Sequence, residues 1–312
     1  MITYKDIEIA HDRISQHIHL TPVLTSGTIN QKSNSKLFFK CDNFQKTGSF
    51  KIRGATNTIL QLSKEQLRNG VITTSSGNHG AAVAAAAKKL GANVKVIMPN
   101  NTPKVKIDNV QRYGGQVIFC EPNIKAREST LNKEVKKTGS TIVHPYNDKK
   151  VIAGQGTAAK ELLEKVADLD IIITPVSGGG LLAGTSLLAK SINPNIKVYG
   201  AEPKNADDTY RSIKYNKIVS NKTTDTIADG LRAQVGTITF PIIQKNVDGI
   251  ILVSEEMIIQ SMRTIWQKMK IIIEPSCSIA LAAILVNNKQ FHNKRIGIIL
   301  TGGNVDLDSL PW

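Results

Sequence analysis

The alternation of short β-rich runs with helix-like segments is the feature that most constrains the fold of this 312-residue chain. Residues 71–76, 94–98 and 116–120 form three such runs, and a segment of helical composition follows each of them. Strands that alternate with helices in this way usually lie parallel in an open sheet whose faces the helices cover. The sequence therefore predicts an α/β fold, in which ligands bind beyond the carboxyl ends of the strands.

The β-rich runs fall into two groups. A fourth run, residues 141–144, completes the first group, and the second group comprises residues 170–176, 197–202, 249–254 and 295–300. An early run, residues 36–42, has no β neighbour in sequence, so we predict that it joins the second group. We therefore expect two open, twisted, mainly parallel sheets. A small domain of residues 70–145 would be inserted in a large domain of residues 1–69 and 146–312.

The chain carries 40 basic and 25 acidic side chains, which gives a formal net charge of +15. Its lysines are dispersed over helical faces, and only 5% of the residues are aromatic, which favours a solvated surface over a nucleic-acid interface. Nucleic-acid binding remains a separate alternative, which predicts a strongly salt-dependent affinity. The excess of positive charge is also suited to attracting small anionic substrates.

Neither export nor membrane insertion is predicted. The N-terminal segment lacks an apolar signal-type region, and the apolar run of residues 81–87 is too short to cross a bilayer. Cys41, Cys120 and Cys277 are isolated, so they are interpreted as buried small side chains rather than as disulfide partners or zinc ligands. These observations favour a cytoplasmic protein.

A glycine-rich loop, "SGGGLLAG", lies between a β-rich run and a helix-like segment and begins at Ser177. Backbone N–H groups at such a helix N-terminus form a site suited to phosphate. The spacing Gly178-x-Gly180-x-x-Ala183, with Glu202 at the end of the next run, also fits a dinucleotide-binding fingerprint. A nicotinamide-dependent oxidoreductase is therefore an alternative from another enzyme class, and a plain tight turn is the simplest interpretation.

Two further polar loops follow β-rich runs, "SSGNHG" from Ser75 and "TGGNVD" from Thr301. Ser76 or Asn78 could cap a helix, whereas the first loop as a whole is suited to binding a carboxylate. Because the loops follow strands, we expect them to converge on one ligand. Lys51 lies in a fourth loop, as a surface lysine or, if partly desolvated, as a nucleophilic amine.

Six segments in this order resemble one family: "TGSFKIRGA", "SSGNHG", "VIAGQGT", "SGGGLLAG", "EPS" and "TGGNVD". The chain is similar over nearly its whole length to the fold type II pyridoxal-phosphate (PLP) enzymes of the serine/threonine dehydratase and serine racemase group. The resemblance implies that Lys51 binds the cofactor as a Schiff base and removes the Cα proton of the substrate. It also implies that Asn78 binds the phenolic oxygen of the cofactor and Thr301 its pyridine nitrogen.

The remaining site residues are implied in the same way. The cofactor phosphate would be bound by Ser177, Gly178, Gly179, Gly180 and Leu181. The substrate carboxylate would be surrounded by Ser75, Ser76, Asn78 and His79. In racemases of this group a serine at the position of Ser76 is a second acid and base, on the face of the cofactor opposite the lysine.

The resemblance implies two related activities on a small hydroxyamino acid. We rank β-elimination first, by a threonine/serine dehydratase that releases ammonia and 2-oxobutanoate or pyruvate, and serine racemisation or 3-hydroxyaspartate dehydration second. Tyr146 weakly favours the dehydratase, because animal racemases have Asn there, whereas Ser76 permits racemisation. The segment "AEPKNADD" resembles a Mg²⁺ or Ca²⁺ loop with Glu202, the Ala206 carbonyl and Asp208 as ligands, or it is a charged surface turn. Family resemblance also favours a homodimer.

Overall fold

The computed structural model describes residues 2–75 and 77–312. Its strands are β1 (Val23–Leu24), β2 (Lys36–Cys41), β3 (Val71–Thr74), β4 (Val94–Pro99), β5 (Gln116–Cys120), β6 (Thr141–Ile142), β7 (Ile171–Pro175), β8 (Lys197–Pro203), β9 (Gly249–Val253) and β10 (Arg295–Leu300). Its helices are α1 (Tyr4–Ile14), α2 (Gly27–Ser33), α3 (Lys51–Ile59), α4 (Lys64–Asn69), α5 (Asn78–Lys88), α6 (Lys104–Arg112), α7 (Ile124–Thr138), α8 (Lys149–Lys165), α9 (Gly180–Ile192), α10 (Asp208–Tyr215), α11 (Thr239–Asn246), α12 (Glu255–Met269), α13 (Pro275–Val286) and α14 (Asn288–Phe291).

The strands form two sheets. The larger has the order β1-β2-β10-β7-β8-β9, and the smaller has the order β5-β4-β3-β6. All pairings are parallel except that of β1 with β2. The predicted α/β class with two mainly parallel sheets is therefore confirmed, and β2 joins the larger sheet as expected. Strand β1 was not predicted, because two residues are too short to show a period of two.

The larger sheet buries apolar side chains on both faces. Neighbouring residues of one strand, such as Ile298 and Ile299 of β10, belong to different core clusters, because successive side chains of a strand point to opposite faces. Helices α12 and α13 pack on one face, and α1, α8 and α9 pack on the other. The smaller sheet comprises only strands between Val71 and Ile142, and the predicted domain boundaries near residues 70 and 145 stay a prediction.

Helix α8 begins earlier than the sequence predicted, at Lys149 rather than near Gly156. The Asp148 carboxylate accepts hydrogen bonds from the backbone N–H groups of Lys150 and Val151, so it caps the helix. The glycines of "VIAGQGT" allow close helix packing: a Cβ at Gly154 would lie 2.6 Å from the Cα of Gly54 on α3. Glycine at these positions therefore reflects helix contact rather than a loop.

The sequence also led to predictions about the cysteines and the longest apolar segments. Cys41, Cys120 and Cys277 are free and buried, as predicted. Within residues 2–75 and 77–312, no helix has the length and apolar character needed to cross a bilayer.

Candidate active site

The loop that precedes Lys51 is joined to the loop that follows β10. The backbone N–H of Phe50 donates to the carbonyl of Thr301 at 3.0 Å, and that of Gly303 donates to the carbonyl of Gly48 at 2.9 Å. Ser49 and Gly302 also form an isolated antiparallel bridge. Residues more than 250 positions apart in the sequence thus form one wall of a site at the carboxyl ends of β2 and β10.

Lys51 is the first residue of α3 and is partly buried. Its Nζ donates to the carbonyl oxygen of Pro145 at 2.9 Å and lies 5.2 Å from the centre of the Phe50 ring. Burial lowers the pKa of Lys51 to about 8, and the charge of Glu274 opposes that shift. An amine with a pKa of about 8 has a far larger neutral fraction near physiological pH than an ordinary lysine has, and a nucleophile or a base requires the neutral form. These features do not fit an ordinary solvated surface lysine.

The glycine loop connects β7 with the N-terminus of α9, where backbone N–H groups lack helical partners. Gly179 has φ +89°, a conformation that favours glycine. A Cβ at Gly178 would overlap the ring of Tyr146, and one at Gly180 would lie 3.2 Å from the Tyr146 Cα. The Ser177 hydroxyl donates to the carbonyl of Ala233 and accepts from its N–H. The loop can therefore bind an anion mainly through its backbone.

Asn78 begins α5 and faces the larger sheet. Its Nδ2 lies 2.8 and 3.1 Å from the two carboxylate oxygens of Glu274, and its Oδ1 accepts from Nδ2 of Asn304 at 2.8 Å. The N-cap position of α5 is Gly77, and neither Ser76 nor Asn78, the two caps predicted from the sequence, is recorded in that role. The Ser75 hydroxyl accepts from the backbone N–H groups of Gly77 and Gly80, both at 3.0 Å. The Asn78 carboxamide is therefore not used to cap α5, and Glu274 and Asn304 fix its orientation.

The His79 side chain turns away from a carboxylate-binding role. Its Nε2 faces the carbonyl of Val143 at 3.1 Å, so this nitrogen carries the proton. Burial lowers the pKa of His79 to about 3, and the charge of Lys51 lowers it further. The imidazole is neutral, and only the backbone N–H of His79, in the first turn of α5, is suited to binding a carboxylate.

Three other residues were predicted to belong to the site. Thr301 is 4% exposed and lies beside the Cys277 thiol, whose pKa burial raises. Ser76 lies outside the residues that the structure describes. Leu181 is buried in the first turn of α9, directly after the three glycines. The loops of Lys51, Asn78 and Thr301 are thus in contact, and Tyr146 links the Lys51 side to the glycine loop, so the loops converge on one site as expected.

The profile of the family described as "Pyridoxal-phosphate dependent enzyme" matches residues 14–302. The chain belongs to this family. Over 99% of its length it is 50% identical to the serine racemase of Dictyostelium discoideum, covering 97% of that protein. It is 46% identical to the beta-hydroxyaspartate dehydratase of Paracoccus denitrificans, with 99% of this chain and 98% of that protein covered. The structure of maize serine racemase superposes with a TM-score of 0.96 at 45% identity, with 98% and 95% of the two chains covered.

As a PLP enzyme, the chain has residues that fit the cofactor. The glycine loop leaves space only for backbone contacts, the amine of Lys51 has a lowered pKa, and Asn78 presents an ordered carboxamide. PLP supplies the capacity to delocalise the electrons of a broken bond at Cα. The dinucleotide alternative is not supported, because Glu202 is 1% exposed and accepts from the backbone N–H groups of Thr209 and Tyr210. It therefore cannot reach a ribose.

Of the predicted metal ligands, Glu202 lies in β8, Ala206 in the connection that follows and Asp208 at the start of α10, and the Glu202 carboxylate bonds the first turn of that helix. Glu202, Ala206 and Asp208 are all buried, which excludes the charged surface turn. Burial raises the pKa of Glu202 to about 8, and the neighbouring Asp208 charge raises it further. Burial also raises the pKa of Asp208 to about 6. Two buried carboxylates with raised pKa values, one of them raised by the charge of the other, fit a cation. Within the described ranges, no cluster of three or more His, Cys, Asp or Glu side chains forms a metal site.

Three residues of this site had no role predicted from the sequence. Tyr146 covers the glycine loop, Glu274 binds Asn78, and Asn304 joins Asn78 to the Lys51 loop through the carbonyl of Thr47. Glu274 and Asn304 belong to the motifs "EPS" and "TGGNVD", so the motifs did signal their importance. Their partners lie about 200 residues or more away in the sequence, and only the fold brings them together.

Proposed function

We propose that this PLP enzyme racemises serine and also eliminates water from hydroxyamino acids. The similarity to serine racemases at 43–50% identity is the observation that carries the proposal, and it favours racemisation over the dehydratase that we ranked first from the sequence. Both activities begin with loss of the Cα proton, so one site can support both. What distinguishes them is whether a second proton donor is present.

Lys51 would remove the Cα proton on one face of the substrate, since its lowered pKa provides free amine. The N-terminus of α5 would orient the substrate carboxylate through backbone N–H groups. Ser76 is the residue that we propose as proton donor on the opposite face. Racemisation needs donors on both faces, whereas elimination of the β-hydroxyl needs the base and a leaving group. Substitution of Ser76 should therefore separate the two activities.

The test follows D-serine formation and keto-acid release from L-serine in the wild type and in Ser76→Ala. We expect the wild type to form both products and the variant to lose racemisation by about 100-fold or more while elimination persists. Lys51→Ala is the control: it should lose both activities and the cofactor absorption band near about 410 nm. Release of pyruvate without D-serine by the wild type would restore the dehydratase interpretation.

A dicarboxylic substrate, 3-hydroxyaspartate, is a second candidate. Burial and the charge of Asp208 raise the pKa of Tyr146, which covers the glycine loop, and the positive charge of Arg127 on α7 opposes that shift. Arg127 therefore acts on a residue of the site, which supports this candidate. The buried Nε of Arg127 has no hydrogen-bond partner among the described residues. A guanidinium in this position is suited to a second carboxylate. The similarity to a beta-hydroxyaspartate dehydratase at 46% identity is consistent with this candidate.

Arg127→Gln tests this candidate, with Lys125→Gln on the same helix as the matched exposed control. If Arg127 binds a substrate carboxylate, kcat/KM for 3-hydroxyaspartate should fall at least about tenfold, and that for serine should change little. Equal losses for both substrates would argue against the assignment.

We also propose that Glu202, the Ala206 carbonyl and Asp208 bind Mg²⁺ or Ca²⁺. Chelation should lower the Tm, and Mg²⁺ should restore it, because the cation removes the repulsion between buried carboxylates. Asp208→Asn should abolish this response. The control is Asp207→Asn, which removes only the partly exposed ion pair with Arg211, 2.7 Å long, and should leave the response intact. No change of Tm in stripped wild-type protein would contradict the metal proposal.

A further inference from the structure

A hydrogen-bonded network of three side chains, those of Asn304, Asn78 and Glu274, connects the loops around Lys51. Asn304 donates from Nδ2 to the carbonyl of Thr47 and to Oδ1 of Asn78, both at 2.8 Å. Asn78 in turn donates from Nδ2 to the carboxylate of Glu274 at 2.8 and 3.1 Å. The network therefore extends from the loop that precedes Lys51 to the N-terminus of α13.

The acceptor groups at the two ends of the network determine which way the carboxamide groups of the two asparagines point. A carbonyl oxygen can only accept, so the nitrogen of Asn304 must face Thr47, and the same NH₂ group then reaches Oδ1 of Asn78. An ionised carboxylate also can only accept, so the nitrogen of Asn78 must face Glu274. Both ends thus require the same orientation of Asn78.

The loop that receives Asn304 has an unusual backbone. Thr47 has φ +67°, which is rare for a β-branched residue, and Gly48 has φ +72°. A Cβ at Gly48 would overlap the carboxamide of Asn304. Unfavourable backbone conformations of this kind persist where the surrounding contacts compensate for them, and they cluster at functional sites. The contact with Asn304 is therefore specific, and it lies at Thr47 and Gly48, four and three residues before Lys51.

Glu274 lies among several charged and titratable groups. It is 3% exposed, and the groups that face it are Lys106 of α6, Asp229, Lys51 and the Cys277 thiol. Lys106 also forms an ion pair with Asp229. Burial raises the pKa of Glu274 to about 7, and Lys106 and Asn78 act in the opposite direction. Glu274 therefore changes its charge in the neutral range while in contact with Asn78.

We infer that Glu274 and Asn304 are positioning residues that fix the Asn78 carboxamide, so that the charge of Glu274 controls the hydrogen bond that Asn78 offers to the cofactor. The inference rests on the proposed cofactor contact of Asn78, and it is independent of which hydroxyamino acid is the substrate. An ionised Glu274 attracts the NH₂ group of Asn78 more strongly than a neutral one does. The electronic state of the cofactor should therefore follow the titration of Glu274.

The first test is the absorption spectrum of the holoenzyme, without substrate, between pH 5.5 and pH 8.5. In the wild type we expect the cofactor band to change with a midpoint at about pH 7, the pKa of Glu274. Glu274→Gln has nearly the same shape and can still accept from Asn78, but it does not titrate. It should keep the cofactor through dialysis and lose this spectral step.

The second test uses Asn304→Asp, with Asn43→Asp as the matched control. Asn43 is a buried asparagine that precedes Lys51. It donates to the carbonyl of Ile272 and is not part of the network. An aspartate at position 304 can only accept, so it would turn Asn78 and place further negative charge near Glu274. The spectral midpoint should rise by about one pH unit or more in Asn304→Asp and stay unchanged in Asn43→Asp.

If aspartate at position 304 prevents folding, Asn304→Ala provides an uncharged variant. It removes one anchor of Asn78, and the Kd for the cofactor should rise about tenfold relative to the wild type. The inference is wrong if Glu274→Gln retains the spectral step at the same midpoint, or if the two aspartate variants shift equally. Spectral shifts as expected in a holoenzyme that fails to racemise serine would instead contradict only the proposed function.

Discussion

Lys51 and Arg53 are both cationic, lie two residues apart at the start of α3, and have opposite environments. The guanidinium of Arg53 is fully buried and donates to Asp42, Glu161 and Thr157 at 2.6 to 3.2 Å. The amine of Lys51 has one recorded protein acceptor, the carbonyl of Pro145. A buried cation that is fully paired keeps its charge, whereas one that is poorly paired loses it readily. One turn of helix thus carries both a structural ion and a reactive amine.

The ions around Arg53 balance each other. Lys40 forms a second ion pair with Glu161 at 2.5 Å, so two cations and two carboxylates share one buried cluster. Burial alone would raise the pKa of Asp42, but the charge of Arg53 lowers it. The cluster joins β2, α3 and α8 and so fixes the helix from which Lys51 projects.

The largest loss of stability should come from Arg53→Met, which removes the buried cation but keeps a side chain of similar length. It leaves Asp42 and Glu161 buried with only Lys40 to neutralise them, so the free energy of unfolding should fall by about 3–5 kcal/mol. Urea denaturation of the apo-protein measures it. A loss below about 1 kcal/mol would show that the cluster contributes little to stability.

The second prediction concerns the reactive amine of Lys51. Lys51 must be neutral to bond with the cofactor aldehyde. Because its pKa is lowered to about 8, it is deprotonated at a lower pH than an ordinary lysine is. The rate of PLP incorporation into apo-protein should therefore rise with pH and level off above about pH 8. Glu274→Gln should move the plateau to lower pH, because the Glu274 charge raises the pKa of Lys51. A rate that still rises up to pH 10 would indicate a solvated lysine.

The smallest effect should come from an exposed ion pair. Lys160 and Glu164 form an i,i+4 pair 2.5 Å long on α8, with the Glu164 side chain 55% exposed. Because solvent screens such a pair, Glu164→Gln should change the free energy of unfolding by less than about 0.5 kcal/mol. The same urea experiment measures it. A change comparable to that of Arg53→Met would mean that burial is not what distinguishes the two ion pairs.

The sequence predicted the fold well where a local pattern determined it. Strands β5 and β10 have the predicted bounds, because each is a continuous apolar run between polar segments. The start of α8 was missed because its glycines resemble a loop until the neighbouring helices are known. The antiparallel β1 was missed because its pairing with β2 is the only signal that defines it.

The site was predictable in outline for a different reason. The order of the motifs predicted which residues would surround a cofactor, and in the structure the loops of Lys51, Asn78 and Thr301 are in contact, while their roles stay a prediction. The contacts of Asn78 with Glu274 and Asn304 could not be predicted, because no local pattern specifies which distant side chain meets a given carboxamide. The hydrogen bond from the backbone N–H of Gly80 to the Ser75 hydroxyl depends on the same kind of three-dimensional detail.

The central position of β10 has a consequence for synthesis of the protein. This strand, Arg295–Leu300, lies between β2 and β7, so the larger sheet has a gap until the ribosome has translated it. The loop that meets Ser49 and Phe50 follows it directly. A nascent chain that has not yet released β10 therefore lacks the strand that joins β2 to β7 and the loop that completes one wall of the site.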